Sequence, residues 1–245
     1  MTNLAGTLLG TALTYLGWRR APPTQRQHNE SDERPATLKQ LARRHIDFPL
    51  LRTPQNLINA FSQSLPILLL STYFGASSAG HYTIAISVLG IPSNLIGGAV
   101  MSVFYPRITA ALNNGENARA LIIKATVGMA AAGAIPFLIV MLGGPFLFSF
   151  IFGKEWHIAG HYAQWLAAWL FVAFINRPAV SAIPALRLQG FLLSNEIISI
   201  MLRVVSLYVG FALLRDNVAA VMLFSIVGVL INIHLIYYVI RHSNE

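Results

Sequence analysis

Six apolar runs set the terms for this chain. Residues 54–74, 81–103, 120–142, 158–181, 190–214 and 217–240 are each long enough to cross a bilayer core, which takes roughly 20 residues as helix. In hydrocarbon a backbone must satisfy its own hydrogen bonds, so only helices and closed barrels span it. A barrel strand alternates apolar and polar residues over about 10 positions, whereas these runs are continuous. Composition agrees: 55% of the residues are hydrophobic and 11% are charged, where a soluble domain carries roughly a quarter charged. The expected fold is an all-α polytopic membrane protein with six complete transmembrane helices.

The net charge is +8, which in a soluble protein would suggest a nucleic-acid partner. The positions of the charges point elsewhere. With the loop after residue 18 placed in the cytoplasm and the side alternated at each run, the inner side holds Arg19, Arg20, Arg26, Arg34, Lys39, Arg43, Arg44 and Arg52. It also holds Arg107, Arg119, Lys124, Arg177, Arg187 and Arg241, while the outer side holds only Lys154 and Arg215; Arg203 falls inside a run. This is the asymmetry of the positive-inside rule. The basicity therefore reports topology, with the C-terminus expected in the cytoplasm and no nucleic acid as partner. There are no cysteines, hence no disulfide framework, zinc finger or thiol nucleophile.

The first 46 residues read differently. The apolar part of the start, residues 4–18, falls short of a span, and it lacks the basic leader and small-residue cleavage site of a signal peptide. Residues 1–18 are expected to be the tail of a truncated transmembrane helix, with Gly6 and Gly10 spaced for close helix packing. Residues 19–46 are polar, with Pro22, Pro23 and mixed charge; Leu38, Leu41 and Ile46 recur at helical spacing among Lys39, Arg43 and Arg44. They are expected to form a cytoplasmic linker with a short amphipathic helix on the anionic inner leaflet. Residues 47–242 would then be the six-helix bundle.

Polar residues inside the runs carry the functional reading, because an amide in hydrocarbon needs a partner helix or a wet cavity. Asn56, Asn59 and Gln63 are spaced three and four apart and share one helix face. Pro66 follows, where it frees a carbonyl one turn back and can bend the helix. The second run repeats the arrangement, with Pro92 before Ser93 and Asn94, then Gly97 and Gly98. Interhelical hydrogen bonding explains any one of these residues equally well. Two neighbouring helices that each pair a proline with amides favour a bent, hydrated, gated site, with Pro66 and Pro92 as hinges.

In the fifth run Glu196 and Arg203 stand seven apart, close to two helical turns, so they point the same way. Ser199 and Ser206 lie near their stripe, and Gly210 continues it. An arginine near the bilayer centre reads as functional and needs a named partner: Glu196, in a structural ion pair, or an anionic substrate. The candidate cleft-lining residues for substrate are thus Asn56, Asn59, Gln63, Ser93, Asn94, Glu196 and Arg203.

His157 and His161, four apart beside Glu155, have metal-ligand spacing. No third ligand is fixed by sequence, and Trp156, Tyr162 and Trp165 surround them, so an interfacial aromatic belt is the better reading. No metal or cofactor is expected. The phosphate-binding, dinucleotide, serine-hydrolase and zinc-protease motifs are missing, and no carboxylate pair is placed for acid–base work. An enzyme is not expected. Transport without a nucleotide site would run on an ion gradient, the membrane potential or the substrate's own gradient.

The stretch DFPLLRTPQNLINAFSQSLPILLLSTYFGASSAGHYTIAISVLGIPSNLIGGAV, residues 47–100, resembles the seventh and eighth helices of the polysaccharide-biosynthesis flippases. PFLFSFIFGKEWHIAGHYAQWLAAWL, residues 145–170, is similar to the same family's pattern. The resemblance covers residues 47–240 and implies one six-helix lobe of a two-lobe transporter, here the C-terminal one, working by alternating access in the bacterial inner membrane. It implies a lipid-linked oligosaccharide as substrate, with membrane lipids and either the missing N-terminal lobe or a second half-transporter as partners. Asn56, Asn59 and Gln63 would then offer hydrogen bonds to sugar hydroxyls, while Arg203 meets the diphosphate and Glu196 holds Arg203 in place. A multidrug exporter of the same superfamily, a membrane glycan polymerase or ligase, and an inactive truncated remnant are the alternatives.

Overall fold

The apolar runs fold as helices, and most of the helices outlast the runs. The computed structural model describes the backbone of residues 47–243 and the side chains of residues 61–243. The expected helix tail at 1–18 and linker at 19–46 lie outside the described residues, as do the side chains of Asn56 and Asn59. The unit that carries the site is Arg52–Glu245.

Helix α1 is Asp47–Phe74, α2 is Ala76–Asn113 and α3 is Ala118–Phe152. A single 3₁₀ turn, Lys154–Trp156, leads into α4, His157–Ile175, which is followed by the short α5, Arg177–Ala182. Helix α6, Gln189–Val209, ends in a π-helical turn, Gly210–Leu214, and α7 is Asn217–His242. There is no strand among the described residues. Five segments are long and apolar enough to cross a membrane: Ala76–Asn113, Ala118–Phe152, Lys154–Ala182, Gln189–Leu214 and Asn217–His242. The first expected run falls within α1.

The ends follow from local chemistry. Glycines at positive φ, Gly75 (87°) and Gly153 (104°), make the joints after α1 and α3, a conformation that costs a side chain but not a glycine. Asn117 caps α3 by accepting from the Ala120 N–H, and the Asp216 carboxylate caps α7 by accepting from Val218 and Ala219. Helix α2 has 38 residues, about 57 Å at 1.5 Å per residue, so it extends well beyond a hydrocarbon core of about 30 Å.

Helix α4 is the centre of the bundle. It packs on α2, α3 and α7 and buries Ala159, Tyr162, Ala163, Leu166, Ala167 and Phe174. Small residues let the backbones touch, as membrane helices require for close packing. A methyl group on Gly144 would stand 2.5 Å from the Gly160 carbonyl oxygen, and one on Gly160 would stand 2.6 Å from that of Gly144.

Two apolar cores sit on the helices with polar residues between them. Along α2 the first core ends at Leu89 and the second begins at Phe104, with Ser93 and Asn94 between. Along α4 and α5 the break holds Asn176 and Arg177, between Phe174 and Ala179. On α7 it holds Asn232, between Phe224 and Leu235. On α6, Asn195, Glu196, Ser199 and Arg203 precede Leu207 of the first core. The bundle is therefore dry at both levels and polar in its waist.

One expectation is corrected here. The run 158–181 is not one helix, because α4 stops at Ile175 and α5 starts at Arg177 with Pro178 at its beginning. Proline disfavours helical geometry in the residue before it and lacks the N–H of the next bond. Arg177, counted above on the inner side, is half-buried at the start of α5 and donates to Asn94 on α2.

Candidate functional site

The polar waist opens into a cavity of about 510 Å³. Its walls come from α1 (Ser62, Gln63, Pro66), α2 (Tyr82, Gly90, Ser93, Asn94), α4 (Trp169, Phe174), α5 (Arg177), α6 (Glu196, Arg203) and α7 (Phe224). Of the residues expected from sequence, Gln63, Ser93, Asn94, Glu196 and Arg203 thus line one space, together with Pro66. Pro92 sits beside it on α2, which continues through it, as α1 does through Pro66. Ser93 turns its hydroxyl back to donate to the Leu89 carbonyl at 2.7 Å, a common way to hold a buried serine on a helix.

Glu196 and Arg203 share the cavity but form no ion pair; among the described residues the one ion pair is Arg107 with Glu116. The reason is geometric. Seven residues along a helix separate their backbones by about 10.5 Å, and other groups hold the arginine. Its guanidinium carbon lies 4.6 Å from the centre of the Trp169 ring and 5.4 Å from that of Phe224. Aromatic faces attract a guanidinium through the ring quadrupole and leave its in-plane N–H groups free to donate. Trp169 is itself pinned, since a methyl on Gly228 would be 2.5 Å from its Cδ1. The expectation that Glu196 anchors Arg203 gives way to an aromatic clamp.

Arg177 is the residue that sequence reasoning missed. Its Nη2 donates to the Asn94 side-chain oxygen at 2.9 Å, and its stem lies against Gly97, where a Cβ would come within 2.9 Å of Nε. The available signal was the tripeptide Asn-Arg-Pro inside an apolar run, which marks a helix break and so an arginine at the depth of the break. Trp169 was also missed, because an aromatic in a span carries no mark of its function.

The hydrogen-bond inventory gives the cavity its chemical sign. Arg177 Nε, Arg203 Nε and Trp169 Nε1 are buried donors without a partner. Against them stands one carboxylate, Glu196. A cavity with two guanidiniums and one carboxylate suits an anionic ligand rich in acceptor oxygens.

The sequence model of a family described as "polysaccharide biosynthesis protein" matches residues 31–160, more than half of the chain. The chain belongs to this polysaccharide biosynthesis family. No curated protein and no solved structure matches it. The matched segment contains α1, α2 and α3, so it includes Gln63, Pro66, Pro92, Ser93 and Asn94 but ends before Arg177, Glu196 and Arg203. Its long apolar helices are those of a multi-pass membrane protein, and with the family match the chain is transporter-like.

Proposed function

We propose that this protein moves lipid-linked oligosaccharide or polysaccharide precursors across the bacterial inner membrane by alternating access, as one six-helix lobe that works against a second lobe. The observation that carries this reading is that two guanidiniums, Arg177 and Arg203, stand against one carboxylate, Glu196, on the wall of a cavity of about 510 Å³. The diphosphate of a lipid-linked sugar supplies the negative charge and acceptor oxygens that answer two guanidiniums. Gln63 on α1 and Asn94 on α2 serve the sugar hydroxyls, a role the three-and-four spacing of the sequence also gives Asn56 and Asn59. Ser93 helps shape the wall, and the lipid tail stays in the bilayer while the head group crosses. Pro66 and Pro92 act as the hinges on which α1 and α2 bend between inward- and outward-facing forms.

Two guanidiniums against one carboxylate argue against an exporter of organic cations, whose cavity would need acceptors and carboxylates. No covalent chemistry is assigned to the site; the role is that of a transporter rather than an enzyme. Chromosomal Arg203→Ala and Arg177→Ala substitutions should each make the lipid-linked glycan accumulate on the cytoplasmic face, with sensitivity to cationic drugs unchanged. Normal glycan export in both strains, with correctly inserted protein, would sink this reading.

A further inference from the structure

The end of the bundle where α2 closes and α3 opens carries five exposed cations: Arg107, Arg119, Lys124, Arg187 and Arg241. They are scattered along the chain, and the second apolar core gathers them. Their neighbours Ile108, Ala118, Ile183 and Val239 belong to that core, with Leu186 and Ile240 packed against it. Among the described residues Glu116 is the one carboxylate of these segments, and it pairs with Arg107 at 2.6 Å. Arg119, Lys124, Arg187 and Arg241 form no ion pair.

The opposite end is built differently. Its two cations each stand beside a carboxylate in the chain, Lys154 with Glu155 and Arg215 with Asp216. That end has no surplus of positive charge, so the surplus belongs to one rim of the bundle.

Positive charge alone would suit any polyanion. The surface below each cation narrows the partner. On α3, Arg119 is followed at four-residue steps by Ile123 and Val127, 38% and 60% exposed. Lys124 stands in helical register with the exposed Ile135, Leu138 and Leu142 of the same helix. On α7 the exposed Ile226, Leu230 and Tyr237 run in one stripe up to Arg241. Long cationic side chains at the end of an apolar stripe lay their stems on it and hold their charge at the interface. A ligand that meets a cation at its head and exposed apolar helix along its length has an anionic headgroup and hydrocarbon chains. An acidic protein or a nucleic acid supplies the charge without the chains.

We propose that Arg119, Lys124 and Arg241, with Arg187 on the loop after α5, bind the headgroups of anionic phospholipid, whose acyl chains lie along α3 and α7. Cations beside a span attract anionic lipid over about a Debye length, and both guanidinium and ammonium donate to phosphate oxygens. A zwitterionic lipid carries the same phosphate with an ammonium that cancels it, so the preference is for a net negative head. None of these four residues lines the anion cavity, and the proposal does not depend on what that cavity carries.

The test is thermal unfolding of the full chain in detergent micelles, followed by tryptophan fluorescence. Phosphatidylglycerol is exchanged for phosphatidylcholine at constant total lipid. A lipid that binds the folded bundle raises its Tm saturably, and phosphatidylglycerol should do so, less in high salt. The rise should fall by at least half in Lys124→Gln/Arg241→Gln, whose side chains are exposed and unpaired, so that folding is preserved. Lys154→Gln/Arg215→Gln removes the same charge at the opposite end and should keep the full response. Equal Tm values in the two lipids would overturn the proposal. So would equal losses in the two variants, which would report net charge rather than a site. Soluble glycerol phosphate at the same concentration should leave the Tm unchanged. A rise as large as the lipid's would overturn the lipid assignment, since phosphate would then suffice without chains.

Discussion

Arg203 lies against Trp169, its guanidinium carbon 4.6 Å from the ring centre, and not against Glu196 on its own helix. The charge is thereby held in place by a neutral surface, and its hydrogen-bonding edge stays available to a ligand. An ion pair would have spent both. Trp169→Leu removes the clamp while leaving the charge. It should weaken inorganic pyrophosphate binding about tenfold, the equivalent of about 1.4 kcal/mol, as read by isothermal titration. Unchanged affinity would mean that the tryptophan does not position the arginine.

Two adjacent glycines on α2 separate a site effect from a helix effect. A Cβ on Gly97 would stand 2.9 Å from Arg177 Nε, whereas one on Gly98 meets nothing within 4 Å. Gly97→Ala should displace the flexible end of Arg177 and weaken pyrophosphate binding roughly fivefold, with little change in stability, since alanine improves a helix by about 0.5–1 kcal/mol. Gly98→Ala should leave binding unaltered. Equal effects in the two variants would remove Arg177 from the site.

Gly160→Ala is expected to behave differently, because what it meets is backbone. Its Cβ would press on Pro145 and on the Gly144 carbonyl oxygen, neither of which can rotate away. Overpacking of this kind should cost about 3 kcal/mol, seen as a lower Tm and aggregation in size-exclusion chromatography. Gly128→Ala on α3, which meets open space, is the matched control and should stay monodisperse.

Outside the spans, Glu116 accepts a hydrogen bond from Arg107 Nη2 at 2.6 Å, which holds its carboxyl below the ordinary value of 4.5. A depressed carboxyl contributes stability above its unfolded pKa and loses it as pH falls through the folded one. Wild type and Glu116→Gln should therefore differ in Tm at neutral pH and converge as the pH drops below about 4. The pair is exposed, so the gap should be small and close further in high salt. A gap that persists in acid would show that the pair is not its source.

Much of this protein was legible without coordinates. Each described span falls where an apolar run predicted a helix, and Gln63, Ser93, Asn94, Glu196 and Arg203 do line one cavity. Both facts have a local cause. Lipid obliges the backbone to be helical wherever the chain is apolar, and it obliges polar side chains to turn inward. What the sequence determined by itself was therefore the helices and the list of residues that must avoid lipid. Which of those residues meet was decided only by the tertiary structure. Helical periodicity put Glu196 and Arg203 on one face, but it had no means of placing Trp169 on α4 over the guanidinium. Charge counting gave Arg177 only a side of the membrane, and it was the packing of α5 on α2 that brought it to Asn94. Asn176 and Asn232 are 56 positions apart, and their hydrogen bond exists only because α4 and α7 are neighbours. Helix formation depends on residues within a few positions, whereas partner choice depends on which small residues let two distant helices approach.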